Sequence, residues 1–234
     1  MIGSGAVDAA APARAPARPL EGVTESGVFW RLGDWRAGDD LDAAGAHVPS
    51  ELGGRLDELR RRRVVGRRWV RDLVQAHLGL EWPGLATDAP GRKPRLLGAS
   101  GADASISHSD GTMLVGVAAE GLVGVDVEEE PFAAFDRPSL LRRMCASEEL
   151  AAFDGLPDAM RRRSLARAWT AKEATLKAFG VGLAQDPRGV GIDLDELLAG
   201  PRTRGPEYSI VHVVDRRILL RHPSRPDDPA TSPQ

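Results

Sequence analysis

The stretch Gly121–Glu130, GLVGVDVEEE, constrains this chain most tightly. Its apolar run Leu122–Val127 follows a glycine, is rich in valine and reads as a strand. Successive side chains of a strand point to opposite faces. Val125 and Val127 therefore turn to a core, while Asp126 and Glu128 share the other face. Two hard oxygen donors side by side, short of a full protein cage, suit Mg²⁺, which keeps waters and takes substrate phosphates as further ligands. Glu129 and Glu130 deepen the negative field. An isolated D-x-E pair is, all the same, most often just a solvated acidic face.

The second constraint is a helix over Arg161–Phe179, stopped by Gly180 and Gly182. Trp169, Glu173 and Lys177 stand at i, i+4 and i+8 and form one stripe, with Lys172 and Leu176 flanking it. A core Trp beside a solvated Glu–Lys pair accounts for that spacing. The sharper reading makes Glu173 a third carboxylate for the cation and the lysines contacts for phosphate oxygens, but on the spacing alone the amphipathic helix wins.

Around these two elements the chain reads as mixed α/β (α+β). Val28–Trp35 has strand character, and a long helix is expected over about Pro49 to Leu78, ended by Gly79. Ser105–His108 and Thr112–Ala118 bracket a turn at Ser109-Asp110-Gly111 and predict a hairpin. Ser139–Phe153 is helical, broken near Cys145-Ala146-Ser147 with Ser147 capping the new start. Tyr208–Leu220 supplies late strands. The expected organisation is a flexible tail over 1–20, an N-terminal subdomain over 21–121, a C-terminal subdomain over 122–222 and a second tail over 223–234.

Composition narrows the function. A net charge of -3 argues against a protein that lives on nucleic acid by overall charge. One cysteine, Cys145, excludes an internal disulfide framework and a multi-cysteine metal site. No apolar run approaches the roughly 18 residues of a membrane span, and Met1 to Leu20 does not read as a signal peptide. A cytoplasmic protein is expected. Of the 31 basic residues only Lys93, Lys172 and Lys177 are lysine, whose compact ammonium arginine does not copy.

Further candidates lie upstream. Ser107-His108 offers a hydroxyl and an imidazole at a strand end, better suited to phosphate than to metal, since no second histidine sits at ligand spacing. Gly91-Arg92-Lys93-Pro94-Arg95 is a basic loop stiffened by its proline. Arg55–Arg71 carries eight arginines, of which Arg60, Arg63, Arg67 and Arg71 form a cationic stripe. Such a stripe is usually a solvated helix face, or else an anion or nucleic-acid surface. Walker A, dinucleotide, HExxH and GxSxG patterns are all absent.

Taken in order, KP, SHS, GVDVE and WTAKEATLK, the chain resembles the 4'-phosphopantetheinyl transferase superfamily, of the surfactin-synthetase-activating type. Gly124–Glu128 and Trp169–Lys177 match its G-[IV]-D-[IV]-E and W-[ST]-x-K-E-x-x-x-K signatures at every fixed position. Leu140–Leu150 looks like its Arg-Phe-Phe-Ser-x-x-Glu helix, with Met-Cys-Ala in place of the aromatics. Lys93-Pro94 and Ser107-His108 match the upstream motifs, Arg92 being inserted in the first.

The resemblance implies two similar, pseudo-twofold related subdomains. It implies transfer of the phosphopantetheine arm of coenzyme A to a serine of an apo acyl or peptidyl carrier protein, by a monomer that needs neither membrane nor nucleic acid. By that analogy Asp126, Glu128 and Glu173 hold Mg²⁺. Lys93, Ser107, His108, Lys172, Lys177 and an arginine of the 55–68 stripe, with Arg55, Arg63 and Arg67 singled out, grip the coenzyme's phosphates. Lys177 stabilises the leaving phosphate, and Glu173 or a water on the metal takes the serine proton. Two other classes remain open: a Mg²⁺-dependent phosphohydrolase acting on coenzyme A, and a non-catalytic module binding nucleic acid through the Arg55–Arg71 stripe.

Overall fold

The structure, a computed structural model, describes residues 18–37, 54–82, 84–86, 92–199, 204–215 and 217–221, with the side chains of 54–56 and 221 outside the description. Of the expected tails, 1–17 and 222–234 lie outside the described residues, while Leu20 opens a strand.

Four antiparallel strands form the first sheet, in the order β1 (Leu20–Val23), β2 (Phe29–Asp34), β6 (Thr112–Ala118), β5 (Asp103–Ser109). The expected hairpin is β5–β6, closed by Asp110-Gly111, with Asp110 in the left-handed region at φ 45° that Asp tolerates better than most residues. β3 (Leu85–Ala86) and β4 (Arg95–Leu96) make a small separate pair. The third sheet runs β7 (Leu122–Glu128), β8 (Glu207–Val214), β9 (Arg217–Arg221), again antiparallel.

Helix α1 (Gly54–Leu73) passes into a wider π-turn at Val74–Leu78 and stops at Gly79, whose φ of 62° is the left-handed cap expected there. Its buried stripe of Val65, Trp69, Val70 and Leu73 packs on Met113, Val115 and Val117 of β6. The opposite face of that sheet, with Val28, Trp30, Leu32 and Leu114, meets Val123, Val125 and Val127 of β7 and Tyr208 and Ile210 of β8. Behind the third sheet lies α4 (Asp158–Ala178). The layers are thus helix, sheet, sheet, helix, and every residue of β6 is buried because both its faces are covered.

Helices α2 (Pro138–Met144) and α3 (Ser147–Phe153) bear out the expected break at Cys145-Ala146. The cap is not Ser147, which is already helical. Glu149 Oε2 instead accepts from the Ala146 backbone N–H at 2.8 Å, three residues back, the acidic half of a capping box. The short α5 (Leu194–Ala199) closes a third cluster through Leu197.

The two larger sheets are joined along β5 and β7 by side chains rather than by a backbone ladder. Asp103 Oδ2 accepts from Val123 N at 2.7 Å, Ser105 Oγ from Val125 N at 3.1 Å, and Ser109 Oγ from Glu129 N at 3.4 Å. Each partner lies twenty residues on, so the strands run alongside in parallel, and three of the four alternate side chains of D-A-S-I-S-H-S, all but Ser107, stand in for a carbonyl.

β7 then meets α4 at Gly124. A Cβ there would lie 1.8 Å from Ala174 O and 2.5 Å from Ala178 N, so only glycine lets the helix backbone come this close. We expect Gly124→Ala to lose about 3 kcal/mol in chemical denaturation, because neither contact can move aside. Ser105→Ala should lose about 1–3 kcal/mol, since the buried Val125 N–H is left without an acceptor.

Candidate active site

The close approach at Gly124 sets the last two turns of α4 against the acidic face of β7. One open pocket of about 380 Å³ results, lined by Asp126 and Glu128 from β7, Glu173 and Lys177 from α4, and Ser107 and His108 from β5. Lys93, Arg92 and Pro94 of the basic loop and Gly180 and Gly182 beyond α4 complete its wall.

Lys177 is the hub. Its Nζ donates to Asp126 Oδ1 at 2.6 Å and Ser107 Oγ at 2.9 Å, and lies 3.3 Å from Glu173 Oε1. The Ser107 hydroxyl passes its own proton to Asp126 Oδ1 at 2.7 Å. Asp126 is 3% exposed, and its second oxygen, Oδ2, is buried with no hydrogen-bond partner among the described residues. Glu128 accepts from Ser109 Oγ at 3.0 Å.

The electrostatics follow from packing like charges in a half-dry cleft. Burial pushes the Asp126 carboxyl up to about 6, with Lys177 opposing the rise and Glu173 adding to it. Burial, reinforced by Asp126, raises Glu128 to about 7. For Lys177 burial works against the ammonium, but Asp126 and Glu173 outweigh it and hold its pKa above the ordinary value. His108 is lowered to about 4, first by lost solvation and then by the cations Arg62 and Lys177. Arg62 Nη1 sits 3.2 Å from His108 Nδ1. Arginine only donates, so Nδ1 is the acceptor and the ring proton is on Nε2.

Asp126, Glu128, Glu173, Lys177, Ser107, His108 and Lys93 thus line one pocket. Lys93 reaches it already engaged, donating to Asp103 and, at 3.0 Å, to Ala178 O at the end of α4. Lys172 is elsewhere. Fully buried, it donates to Glu149 Oε2 at 2.7 Å and Pro187 O at 3.1 Å, one helical step round α4 from the stripe that faces the pocket. That buried pair ties α3 and the 187 turn to α4 and leaves no ammonium for a phosphate. Arg63 and Arg67 are exposed on α1 and do not line the pocket, and the side chain of Arg55 lies outside the described residues.

The arginine that does reach the site through His108 is Arg62. Its signal was its phase: Arg62, Val65, Trp69 and Leu73 fall on the packed side of α1, whereas Arg60, Arg63, Arg67 and Arg71 track another line. Arg92, Asp103 and Ser109 were likewise not among the expected site residues, although β5's alternation of polar side chains marked the last two.

The donor chemistry fits a hard divalent cation: a buried carboxylate oxygen without a partner, and two further carboxylates in the same pocket, both Asp126 and Glu128 raised in pKa by crowding. These side chains do not stand as a ready cage. Among the described residues no group of three His, Cys, Asp or Glu is gathered closely enough to hold a metal ion, and the Lys177 ammonium already bonds Asp126 Oδ1.

Comparison with known proteins agrees with this geometry. Residues 122–214 match the family model of the 4'-phosphopantetheinyl transferase superfamily, a span that holds β7, α4 and β8 and hence Asp126, Glu128, Glu173 and Lys177. Over 133 residues, 55% of each chain, the sequence is 34% identical to the 4'-phosphopantetheinyl transferase HetI of Nostoc sp. (strain PCC 7120 / SAG 25.82 / UTEX 2576). Over 83 residues, 34% of this chain and 32% of the relative, it is 32% identical to slr0495 of Synechocystis sp. (strain ATCC 27184 / PCC 6803 / Kazusa), which carries a provisional 4'-phosphopantetheinyl transferase name. The matches span about half the length of the first relative and about a third of the second.

The state of His108 is directly measurable. By two-dimensional nitrogen–proton NMR its ring should stay neutral, with the proton on Nε2, as pH falls from 8 to 5. Arg62→Gln removes one of the cations that disfavour the imidazolium, so the midpoint should rise towards the ordinary histidine value of 6.5.

Proposed function

We propose that this chain transfers the 4'-phosphopantetheine arm of coenzyme A to a serine hydroxyl of an apo acyl or peptidyl carrier protein, as a cytoplasmic monomer of the surfactin-synthetase-activating type. The observation that carries the reading is the convergence of three carboxylates and Lys177 in one pocket, within the segment that matches the superfamily. Among the described residues no helix is long and apolar enough to cross a membrane.

Attack on a phosphorus that already bears negative oxygens calls for charge neutralisation and positioning more than for a protein nucleophile. The serine oxygen of the partner forms a bond to the phosphorus of the pantetheine phosphate. The pyrophosphate P–O bond breaks, and adenosine 3',5'-bisphosphate leaves with that electron pair. Glu173, whose Oε1 is beside Lys177, accepts the hydroxyl proton through its carboxylate. Lys177, kept protonated by its acidic neighbours, donates to the oxygens on which charge collects. The Nε2–H of His108 donates to the phosphates, joined by the Ser107 hydroxyl once it turns from Asp126 to the substrate, and the Arg62 guanidinium fixes the imidazole. Asp126, Glu128 and Glu173 would hold Mg²⁺, which when bound neutralises the pyrophosphate.

Intact-protein mass spectrometry tests this. With coenzyme A, Mg²⁺ and a panel of apo carrier proteins, one carrier should gain a single phosphopantetheine on its serine. Coenzyme A consumed with no carrier modified would point to hydrolysis, and no reaction at all would end the proposal. Asp126→Ala and Glu173→Ala should each slow transfer by at least about a hundredfold while keeping a cooperative thermal transition. Either variant transferring at the parent rate would remove that residue from the site.

A further inference from the structure

The chain carries only three lysines among its 31 basic residues, and the structure gives them different freedom. The Lys172 side chain is fully buried and that of Lys93 is 13% exposed, whereas Lys177, on the wall of the open pocket, is 25% exposed. Lys177 also stands between two carboxylates. Its Nζ lies 2.6 Å from Asp126 Oδ1 on β7 and 3.3 Å from Glu173 Oε1, one turn back along its own helix. An ammonium has three N–H bonds, and Ser107 Oγ at 2.9 Å completes a set of three oxygens around this one.

These contacts put a positive charge among the very oxygens that Asp126, Glu128 and Glu173 would offer a divalent cation. Asp126 Oδ2 has no partner among the described residues, and no three acids there are gathered closely enough to hold an ion. Ammonium and cation therefore compete for one group of carboxylates, and two positive charges side by side in a half-buried cleft repel. Lysine can settle that conflict where arginine could not. Its compact charge rides on a flexible four-carbon stem and can leave one anion for another, whereas a guanidinium is tied by its planar fork.

We infer that Lys177 is the resident counter-ion of the acid cluster. It holds Asp126 against Glu173 until phosphate oxygens enter the pocket, then passes to those oxygens and frees the carboxylates for the divalent cation. The inference rests on the transfer reading for the source of the oxygens, the pyrophosphate of coenzyme A. Its placement rests on the three contacts of Nζ and on the exposure that gives Lys177 a path into the pocket. Cation and phosphate then bind cooperatively with this lysine as the shared element, because each makes room for the other, and the coupling is reciprocal.

The test reads binding of Mn²⁺, a paramagnetic stand-in for Mg²⁺, to the full chain by electron paramagnetic resonance, independent of turnover. Inorganic sulfate serves as the anion, since it offers oxygens to an ammonium but is a poor ligand for Mn²⁺; chloride keeps the ionic strength constant. In the parent, sulfate should tighten Mn²⁺ binding about fivefold or more. Lys177→Met should bind Mn²⁺ about tenfold or more tightly with no anion present, and sulfate should then change that by less than about twofold. The control Arg92→Gln removes one charge from the exposed wall of the same pocket and should stay within about twofold of the parent. Should Lys177→Met lack a cooperative thermal transition, Lys177→Gln and the sulfate effect in the parent decide. Equal tightening by Lys177→Met and Arg92→Gln, unchanged or weaker Mn²⁺ binding without Lys177, or no sulfate effect in the parent would each overturn the counter-ion role. The expected Mn²⁺ pattern with no arm transferred to any carrier would sink the transfer reading alone, and transfer without that pattern would sink the counter-ion alone.

Discussion

The seam between β5 and β7 is the interaction on which the rest of this molecule depends. Two sheets meet at their edge strands through Asp103, Ser105 and Ser109 receiving the amides of Val123, Val125 and Glu129. Each of these side chains takes the place of a ladder carbonyl, so β7 is held alongside β5 while its valines pack on the first sheet. At the third position of the alternating series, Ser107, the hydroxyl turns instead to Asp126 and Lys177. The functional pocket is thus built into the joint, and the joint's own chemistry supplies one of its donors.

The price of that arrangement is concentrated charge. Asp126 and Glu128 are carried into a cleft where burial alone disfavours their ionised forms, and α4 brings Glu173 to the same place because Gly124 removes the side chain that would hold the helix off. Lys177 offsets part of this, which is why its ammonium lies amid the acids rather than in solvent. A second charged lock, nearer the start of α4, is structural: Arg163 and Arg167 both meet Glu207 at the start of β8, at 2.6 and 2.9 Å. The two clusters differ in that both Glu207 oxygens meet guanidiniums, whereas Asp126 keeps an oxygen without a partner among the described residues.

Much of this was legible in the residues. The mixed α/β class, the β5–β6 hairpin, the valine strand and the long helices followed from period and punctuation, because those depend on a residue's near neighbours. The gathering of Asp126, Glu128, Glu173 and Lys177 was legible once the strand phase and the helix stripe were read together. What the sequence concealed depends on rotation and reach. Lys172 is one residue from Glu173, and a helix turns that step into the difference between the pocket and a buried pair with Glu149. Arg62 and Arg63 differ in the same way. Lys93 shows another limit: its place in the pocket wall was foreseeable, but its bonds to Asp103 and Ala178 O come from segments ten and eighty-five residues off. Local spacing carries no record of such partners.

The constant offset of twenty between Asp103 and Val123, Ser105 and Val125, and Ser109 and Glu129 has an evolutionary corollary. Within β6, whose register is pinned on both sides by β2 and β5, gaining or losing one residue would turn the side chains beyond it to the other face of the sheet. The exposed turn at Ala119-Glu120 can take up a change of length that β6 cannot, so divergence within β6 proceeds by substitution.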